Sequence, residues 1–288
     1  MGKVGMKLSI AKLGLIIIVL LVVQNNGFTQ LVKKKKSDIY KYNHTSETPL
    51  TIGSFYVAYW GSDQLKKKDR LDLSTINSLN IDDVWFFDKI ALKQDPSFRL
   101  SAHKISDWGL NISIALPCLL ALDSDIRSEW LDLLFIYLET QALASMVYAW
   151  GPPRWTHRIR PMIYYDEVTM EEKLDSGTTD SFFSGHVSNT AAASFFMAKV
   201  YCDFHPELGK KKWLIYGAAM IPPVFVGYMR FRALKHYPTD ILFGAFIGAS
   251  LGILIPELHK NKEEKRVNLI PLTGPITGLR LSYKVKYK

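Results

Sequence analysis

Cysteine is nearly absent: Cys118 and Cys202 are the only two among 288 residues. Each lies in or at the end of an apolar segment, so no disulfide framework is available, and both read as small core residues. Histidines and carboxylates are not grouped at metal-ligand spacing, which leaves no sequence case for a metal or another cofactor. The net charge is +9, yet the basic residues are scattered between apolar segments and do not form a strip interleaved with aromatics. That argues against nucleic acid and leaves an anionic lipid or bilayer surface as the partner this charge suits. Long hydrophobic runs are scarce as well. The uninterrupted run near the N-terminus, Leu13–Val23, holds 11 residues, few for a bilayer span and typical of an export signal.

An apolar content of 48% is enough for a substantial core in one large domain or two. Lys3, Lys7 and Lys12 precede the Leu13–Val23 run and a polar stretch follows it, so residues 1–30 read as a signal peptide or, failing cleavage, an N-terminal anchor. Residues 31–105 read as an extracytoplasmic extension. It contains the four lysines Lys33 to Lys36, a short aromatic stretch from Pro49 to Gly61, and Trp85-Phe86-Phe87-Asp88. Residues 106–259 hold five mainly apolar segments, Trp108–Leu122, Leu131–Trp150, Asn189–Tyr201, Trp213–Met229 and Ile241–Pro256. Their lengths are short or marginal for perpendicular spans, which need about 17 to 25 residues. Gly, Ala and Ser within them suit close helix packing in a bilayer, and Asp132, Glu139 and Lys199 must then face the bundle interior or water. Residues 260–288 form a tail whose last part alternates weakly like a strand.

If the five segments cross a membrane in turn, the turns at 123–130 and 202–212 and the tail from Glu257 share one side. Lys210, Lys211, Lys212, Lys260, Lys262, Lys265 and Arg266 then share a face, as expected for the cytoplasm. The Arg154–His186 loop and the Arg230–His236 turn fall together on the other side.

That second side carries the chemistry. Ser184-Gly185-His186 opens one apolar helix. Arg230, His236 and Asp240 follow as Arg-x5-His-x3-Asp, with the last two at i and i+4 on one helical face. Asp240 is thus expected to accept a proton from one imidazole nitrogen of His236 and leave the other as a nucleophilic lone pair. Arg160 and Arg230 offer permanently charged forks for a tetrahedral oxyanion. Gly185 is expected to let the backbone approach a phosphate at a helix N-terminus. Arg158 either reaches the substrate or faces solvent. Trp150 and Trp155 read as interface anchors, His157 as a surface residue, and His44, His103, His205 and His259 have no partner pattern.

Arg160-Pro161, Ser184-Gly185-His186 and Arg230-x5-His236-x3-Asp240, in that order and each at the edge of an apolar segment, resemble the three motifs of the type 2 phosphatidic acid phosphatase family. The vanadium haloperoxidases share that fold. The likeness spans roughly residues 106–259 and extends to Lys235-His236-Tyr-Pro-Thr-Asp240. The sequence departs from the family pattern at three places. Pro153 stands where the first motif has a lysine, with Arg154 one residue further on; Phe183 and Met229 stand where the family usually has Pro and Ser.

The resemblance implies an all-α helical bundle with about five to six membrane-embedded helices and a polar N-terminal extension. It implies a metal-independent phosphatase acting on a lipid phosphate or diphosphate through a phosphohistidine. His236 would be the nucleophile, Asp240 its support and His186 the acid and then the base, with Arg160, Arg230, Ser184, Gly185 and Arg154 holding the phosphate. The alternatives are a vanadate-dependent haloperoxidase and a membrane protein that binds lipid phosphates without cleaving them. The expected setting is a bacterial-type inner membrane with the site facing the periplasm, or else a soluble periplasmic bundle.

Overall fold

The computed structural model describes residues 39–261, 267–272 and 278–283; the expected signal or anchor at 1–30 and the lysines 33–36 lie outside them. The principal helices are α1 (Glu47–Lys66), α2 (Arg99–Ala115), α3 (Trp130–Trp150), α4 (Gly185–Phe204), α5 (Lys212–Ala219), α6 (Ile221–Arg232) and α7 (Pro238–Leu258). All five apolar segments are therefore helical. Four stretches, Pro96–Leu122, Trp130–Trp155, Pro206–Arg232 and Pro238–Leu258, are long and apolar enough to cross a membrane. Their outer faces expose Trp108, Ile112, Val224, Phe225, Leu242 and Phe246. So much apolar surface turned outward suits lipid rather than water.

The remaining apolar segment, within α4, is the central rod against which α2, α3, α5, α6 and α7 pack. Its Val187, Ala191, Ala192, Ala193, Phe196 and Val200 are buried. Small residues set the distance between α4 and α7. A β-carbon at Gly244 would stand 2.6 Å from the Ser184 carbonyl oxygen, and one at Gly248 would stand 2.0 Å from that of Ser188. One face of α7 therefore lies directly on the backbone of α4, in a shared i, i+4 register. Because α4 begins at the Ser-Gly-His motif and α7 just after His236, this contact brings the two motifs to the same end.

The other end is closed by ion pairs. Lys199 meets Asp203 and, at 2.7 Å, Glu257; Lys260 Nζ lies 2.8 Å from Asp203, and the Tyr40 hydroxyl donates to Asp203. His205 Nε2 stands 2.9 Å from Asp123. The charges inside the apolar segments are all paired, Glu139 with His259 at 3.2 Å and Asp132 with His44 at 2.9 Å, as burial of a charge requires.

The expected division near residue 105 falls inside α2, and residues 38–288 form one compact unit. The extension does not lie wholly at the motif end. The Tyr40 amide donates to Glu129 at the far end (2.8 Å), and α1 then runs along α3 back to the motif end. There Trp150 Nε1 donates to the Val57 carbonyl at 2.9 Å and packs on Trp60. Trp150 is thus held by α1 rather than exposed as an anchor, whereas Trp155 is 71% exposed. The tail pairs as an antiparallel hairpin, β1 (Val267–Leu272) with β2 (Gly278–Tyr283).

Candidate active site

The turn between α6 and α7 sets the geometry of the third motif. Leu234 adopts a left-handed backbone (φ 56°), and the Lys235 amide closes back on the Arg230 carbonyl at 3.2 Å. For a residue with a β-carbon this conformation costs about 1–2 kcal/mol. It is offset by complete burial of the Leu234 side chain among Leu71, Met162, Ile163, Tyr165 and Val168. The reversal puts Arg230 and His236 on the same side of the turn. α7 then starts with Pro238 at its first position and the Asp240 carboxylate accepting from the Tyr237 amide (2.8 Å), a favourable helix start.

The loop before α4 zips onto the first motif. The Arg160 amide donates to Thr178 O (2.9 Å) and the Ser181 amide to Arg158 O (3.0 Å). Ser181 then serves both members of the third motif: its carbonyl oxygen lies 2.7 Å from His236 Nδ1, and its hydroxyl donates to Asp240 Oδ2 at 2.6 Å. A carbonyl can only accept, so Nδ1 carries the proton and Nε2 is left as the lone pair.

This corrects the expected His236–Asp240 pair. Asp240 Oδ2 is 3.8 Å from Nδ1, outside hydrogen-bond range. The carboxylate is taken instead by Ser181, by the Tyr237 amide and by Arg158. Arg158 neither reaches out to a substrate nor faces solvent. It bridges Asp240 to Asp88, which also accepts from the Thr239 amide (3.1 Å) and hydroxyl (2.6 Å). Asp88 belongs to the extension, so that segment clamps the start of α7.

His186, in the first turn of α4, has its Nε2 2.8 Å from Asp107 Oδ1 on α2. One turn earlier on the same helix, His103 Nδ1 accepts from Arg230 at 2.9 Å, and the Asp107 carboxylate stands 3.9 Å from Arg230. The two motifs are thus joined through α2. His103 and Asp107 were not singled out from the sequence, although they stand at i and i+4 and so share a helical face. Asp180 was also missed: its Oδ1 takes both Nε (3.1 Å) and Nη2 (2.8 Å) of Arg160.

The His236 side chain is buried, and its pKa is held well below the usual imidazole value. Burial is the main cause, followed by the positive charges of Arg160 and Arg230, with His186 also contributing. Residues far apart in the chain therefore act on one ring. In the second and third motifs two buried polar atoms have no hydrogen-bond partner, Ser184 Oγ and Arg230 Nε. Ser184 occupies the N-cap of α4 without capping it, although an N-cap serine ordinarily accepts from the second or third amide of its helix. Buried groups left unpaired are costly, and an anion at the start of α4 would satisfy Ser184.

Arg154 and Gly185 each have a close protein neighbour of their own. Arg154 lies with its guanidinium 4.5 Å over the Trp150 ring, and no contact joins it to the other motif residues. A β-carbon at Gly185 would meet the Tyr148 ring at 2.8 Å, so this glycine is required by Tyr148. Among the described residues no group of three or more His, Cys, Asp or Glu is placed to hold a metal ion.

Residues 129–264 match the family model of the PAP2 superfamily. The chain is 31% identical over 140 residues to phosphatidylglycerophosphatase B of Bacillus subtilis (strain 168), covering 46% of this chain and 63% of that protein. It thus spans a little under two thirds of that relative's length. It is 24% identical over 180 residues to decaprenylphosphoryl-5-phosphoribose phosphatase of Mycobacterium tuberculosis (strain ATCC 25618 / H37Rv), covering 61% and 89%. Among solved structures it resembles a transmembrane PAP2 type phosphatidylglycerolphosphate phosphatase from Bacillus subtilis, with a TM-score of 0.40 and 20% identity over 71% of this chain and 93% of that one.

Proposed function

We propose that this protein, whose residues 129–264 match the family model of the PAP2 superfamily, is a membrane phosphatase that hydrolyses a lipid phosphate or diphosphate through a phosphohistidine. The observation that carries the reading is the convergence on His236: two arginines and a second histidine act on a buried ring whose Nδ1 is held by the Ser181 carbonyl, which leaves Nε2 as the lone pair.

In the proposed reaction the ester phosphorus enters the mouth between α4 and the α6–α7 turn. His236 Nε2 attacks phosphorus, and the Ser181 carbonyl stabilises the imidazolium that forms by accepting from Nδ1. Arg230, Arg160 and Ser184 hold the non-bridging oxygens as phosphorus becomes five-coordinate. His186, supported by Asp107, gives its proton to the leaving alcohol oxygen as the P–O bond breaks. It then takes a proton from water, whose oxygen attacks phosphorus, breaks the P–N bond and releases inorganic phosphate. Asp240 holds Ser181 and Arg158 in place rather than contacting the ring. The site lies at the end of the bundle away from the Lys199–Asp203–Glu257 cluster, which we place on the periplasmic side, with residues 39–105 as part of the same bundle.

The relatives named phosphatidylglycerophosphatase and decaprenylphosphoryl-5-phosphoribose phosphatase support a lipid-borne phosphate as substrate. Both names describe phosphatases, so the haloperoxidase alternative is not favoured. The test is phosphate release from a panel of lipid phosphates in chelator, by the parent chain and by His236→Ala. The reading expects release by the parent alone, with acid-labile phosphate trapped on the protein. Release that survives the substitution, or that chelator abolishes, overturns the mechanism. Binding of lipid phosphates without release supports the non-catalytic reading.

A further inference from the structure

We propose that Lys235 supplies the third cation of the phosphate site, in place of the lysine that Pro153 displaces from the first motif. This rests on the phosphatase reading above and adds a binding residue to it.

The site as drawn so far is short of positive charge. A phosphate monoester carries about −1.5 to −2 near neutral pH. Two oxygen-facing donors of Arg160 are already committed to Asp180, which also neutralises its charge. Arg230 has the Asp107 carboxylate at 3.9 Å. Arg154 is turned onto Trp150. The ammonium of Lys68 is spent on the carbonyls of Pro153 (3.0 Å), Thr179 (3.2 Å) and Thr156. It ties down the backbone where the family lysine would start.

Lys235 is different. Its backbone lies between the two functional residues of the third motif, with its amide on the Arg230 carbonyl (3.2 Å) and His236 next in sequence. Its Nζ lies 3.3 Å from the sulfur of Met162, two residues beyond Arg160. Among the described residues no carboxylate stands within ion-pair distance of it. The charges that act on it are those of Arg160 from the first motif, Arg230 from α6, Arg99 from the start of α2, and Glu172, and its own charge acts in turn on His103. Glu172 is gripped by the Arg99 fork at 3.2 and 2.6 Å. A half-buried ammonium among three arginines, with a thioether as its close contact, is unfavourable until an anion arrives. A dianionic phosphate held by Arg160 and Arg230 would supply that anion.

The proton count gives the proposal a signature. Burial first, then Arg160, Arg230 and Arg99, lower the Lys235 pKa to about 7. A bound dianion must raise it, so anion binding above about pH 7 takes up a proton at this residue. The experiment is isothermal titration of inorganic phosphate into the full-length chain in detergent micelles, at about pH 6 and about pH 8, in two buffers of different ionisation enthalpy. At about pH 6, Lys235→Gln should bind phosphate about 10- to 100-fold more weakly than the parent, with Lys235→Arg within about threefold, as expected for loss and rescue of a charge-assisted contact. At about pH 8 the parent should take up more protons than Lys235→Arg, a comparison in which the ligand's own titration cancels. Parent-like phosphate binding by Lys235→Gln, or equal proton uptake by the parent and Lys235→Arg, overturns the proposal. Lipid phosphate release that survives His236→Ala would instead overturn the site reading, so the two failures are distinguishable.

Discussion

The imidazole Nδ1 of His236 lies 2.7 Å from the Ser181 carbonyl oxygen, whereas the nearest oxygen of Asp240 is 3.8 Å away. A main-chain acceptor therefore sets the tautomer, and no side-chain substitution removes it. Asp240→Asn should keep the nucleophilic nitrogen in place and lower kcat by about 10- to 100-fold, through loosening of Ser181 and Arg158. His236→Ala should lose all measurable turnover. The check is kcat together with phosphoenzyme trapped on Asp240→Asn; equal losses in the two variants would return the ring's support to the carboxylate.

The second imidazole depends on a carboxylate directly. His186 Nε2 is 2.8 Å from Asp107 Oδ1, and an asparagine there cannot stabilise the imidazolium as well. Asp107→Asn should lower kcat by about 100-fold or more, within the range for a general acid and base. The loss should be smaller on a substrate with a good leaving group such as a nitrophenyl ester, since that group needs less protonation. A uniform loss on both substrates would argue against an acid role for His186.

The three motifs were legible because each is a short local pattern, and Arg160, Ser184, His186, Arg230, His236 and Asp240 all come from them. The five apolar helices were legible from composition. What was not legible is what the motifs touch. Asp88, Asp107 and Asp180 enter from 152, 79 and 20 positions away from Asp240, His186 and Arg160 respectively, counted along the chain. Ion pairs across such separations have no sequence period. The i, i+4 relation of His236 and Asp240 was read correctly as placing them on one helical face. It did not show that the ring would donate instead to the Ser181 carbonyl. α1 was missed as a bundle-length helix because Ser54, Ser62 and Asp63 interrupt its apolar stretch.

Asp88 is fully buried and holds Arg158 together with the Thr239 amide and hydroxyl. Asp88→Ala leaves part of the Arg158 charge and the Thr239 donors uncompensated. Breaking a buried pair from one side costs about 3–5 kcal/mol. The expected result is a clear fall in the melting temperature in detergent, with reduced turnover because the start of α7 is freed. A melting temperature equal to the parent's would place Asp88 outside the clamp.

His236 also sets a pH dependence. Its folded-state pKa is depressed by burial and then by Arg160 and Arg230. Its contribution to stability is present above the unfolded value, about 6.5, and is lost as the pH falls from there toward the folded value. His236→Gln removes that proton linkage. Its melting temperature, measured against the parent's, should rise progressively between about pH 7 and about pH 5. A constant difference across that range would mean that the ring titrates normally.

The contact between α4 and α7 couples the fold to the site. A β-carbon at Gly248 would stand 2.0 Å from the Ser188 carbonyl oxygen and 2.9 Å from the β-carbon of Ala191. Neither is the far end of a flexible side chain, so the helices themselves must separate. Overpacking of this kind typically costs about 1–3 kcal/mol, and more where backbone has to move. Gly217, on α5, has nothing within 4 Å of the same position, and alanine there gains about 1 kcal/mol of helix propensity. Gly248→Ala should therefore lower the melting temperature while Gly217→Ala leaves it unchanged or raises it. Because α7 carries Asp240 and α4 carries His186, the Gly248 variant should also lose turnover at temperatures where it remains folded. If its activity stays intact while its stability falls, the two motifs are held together by the loop hydrogen bonds from Ser181 and not by the close approach of the helices.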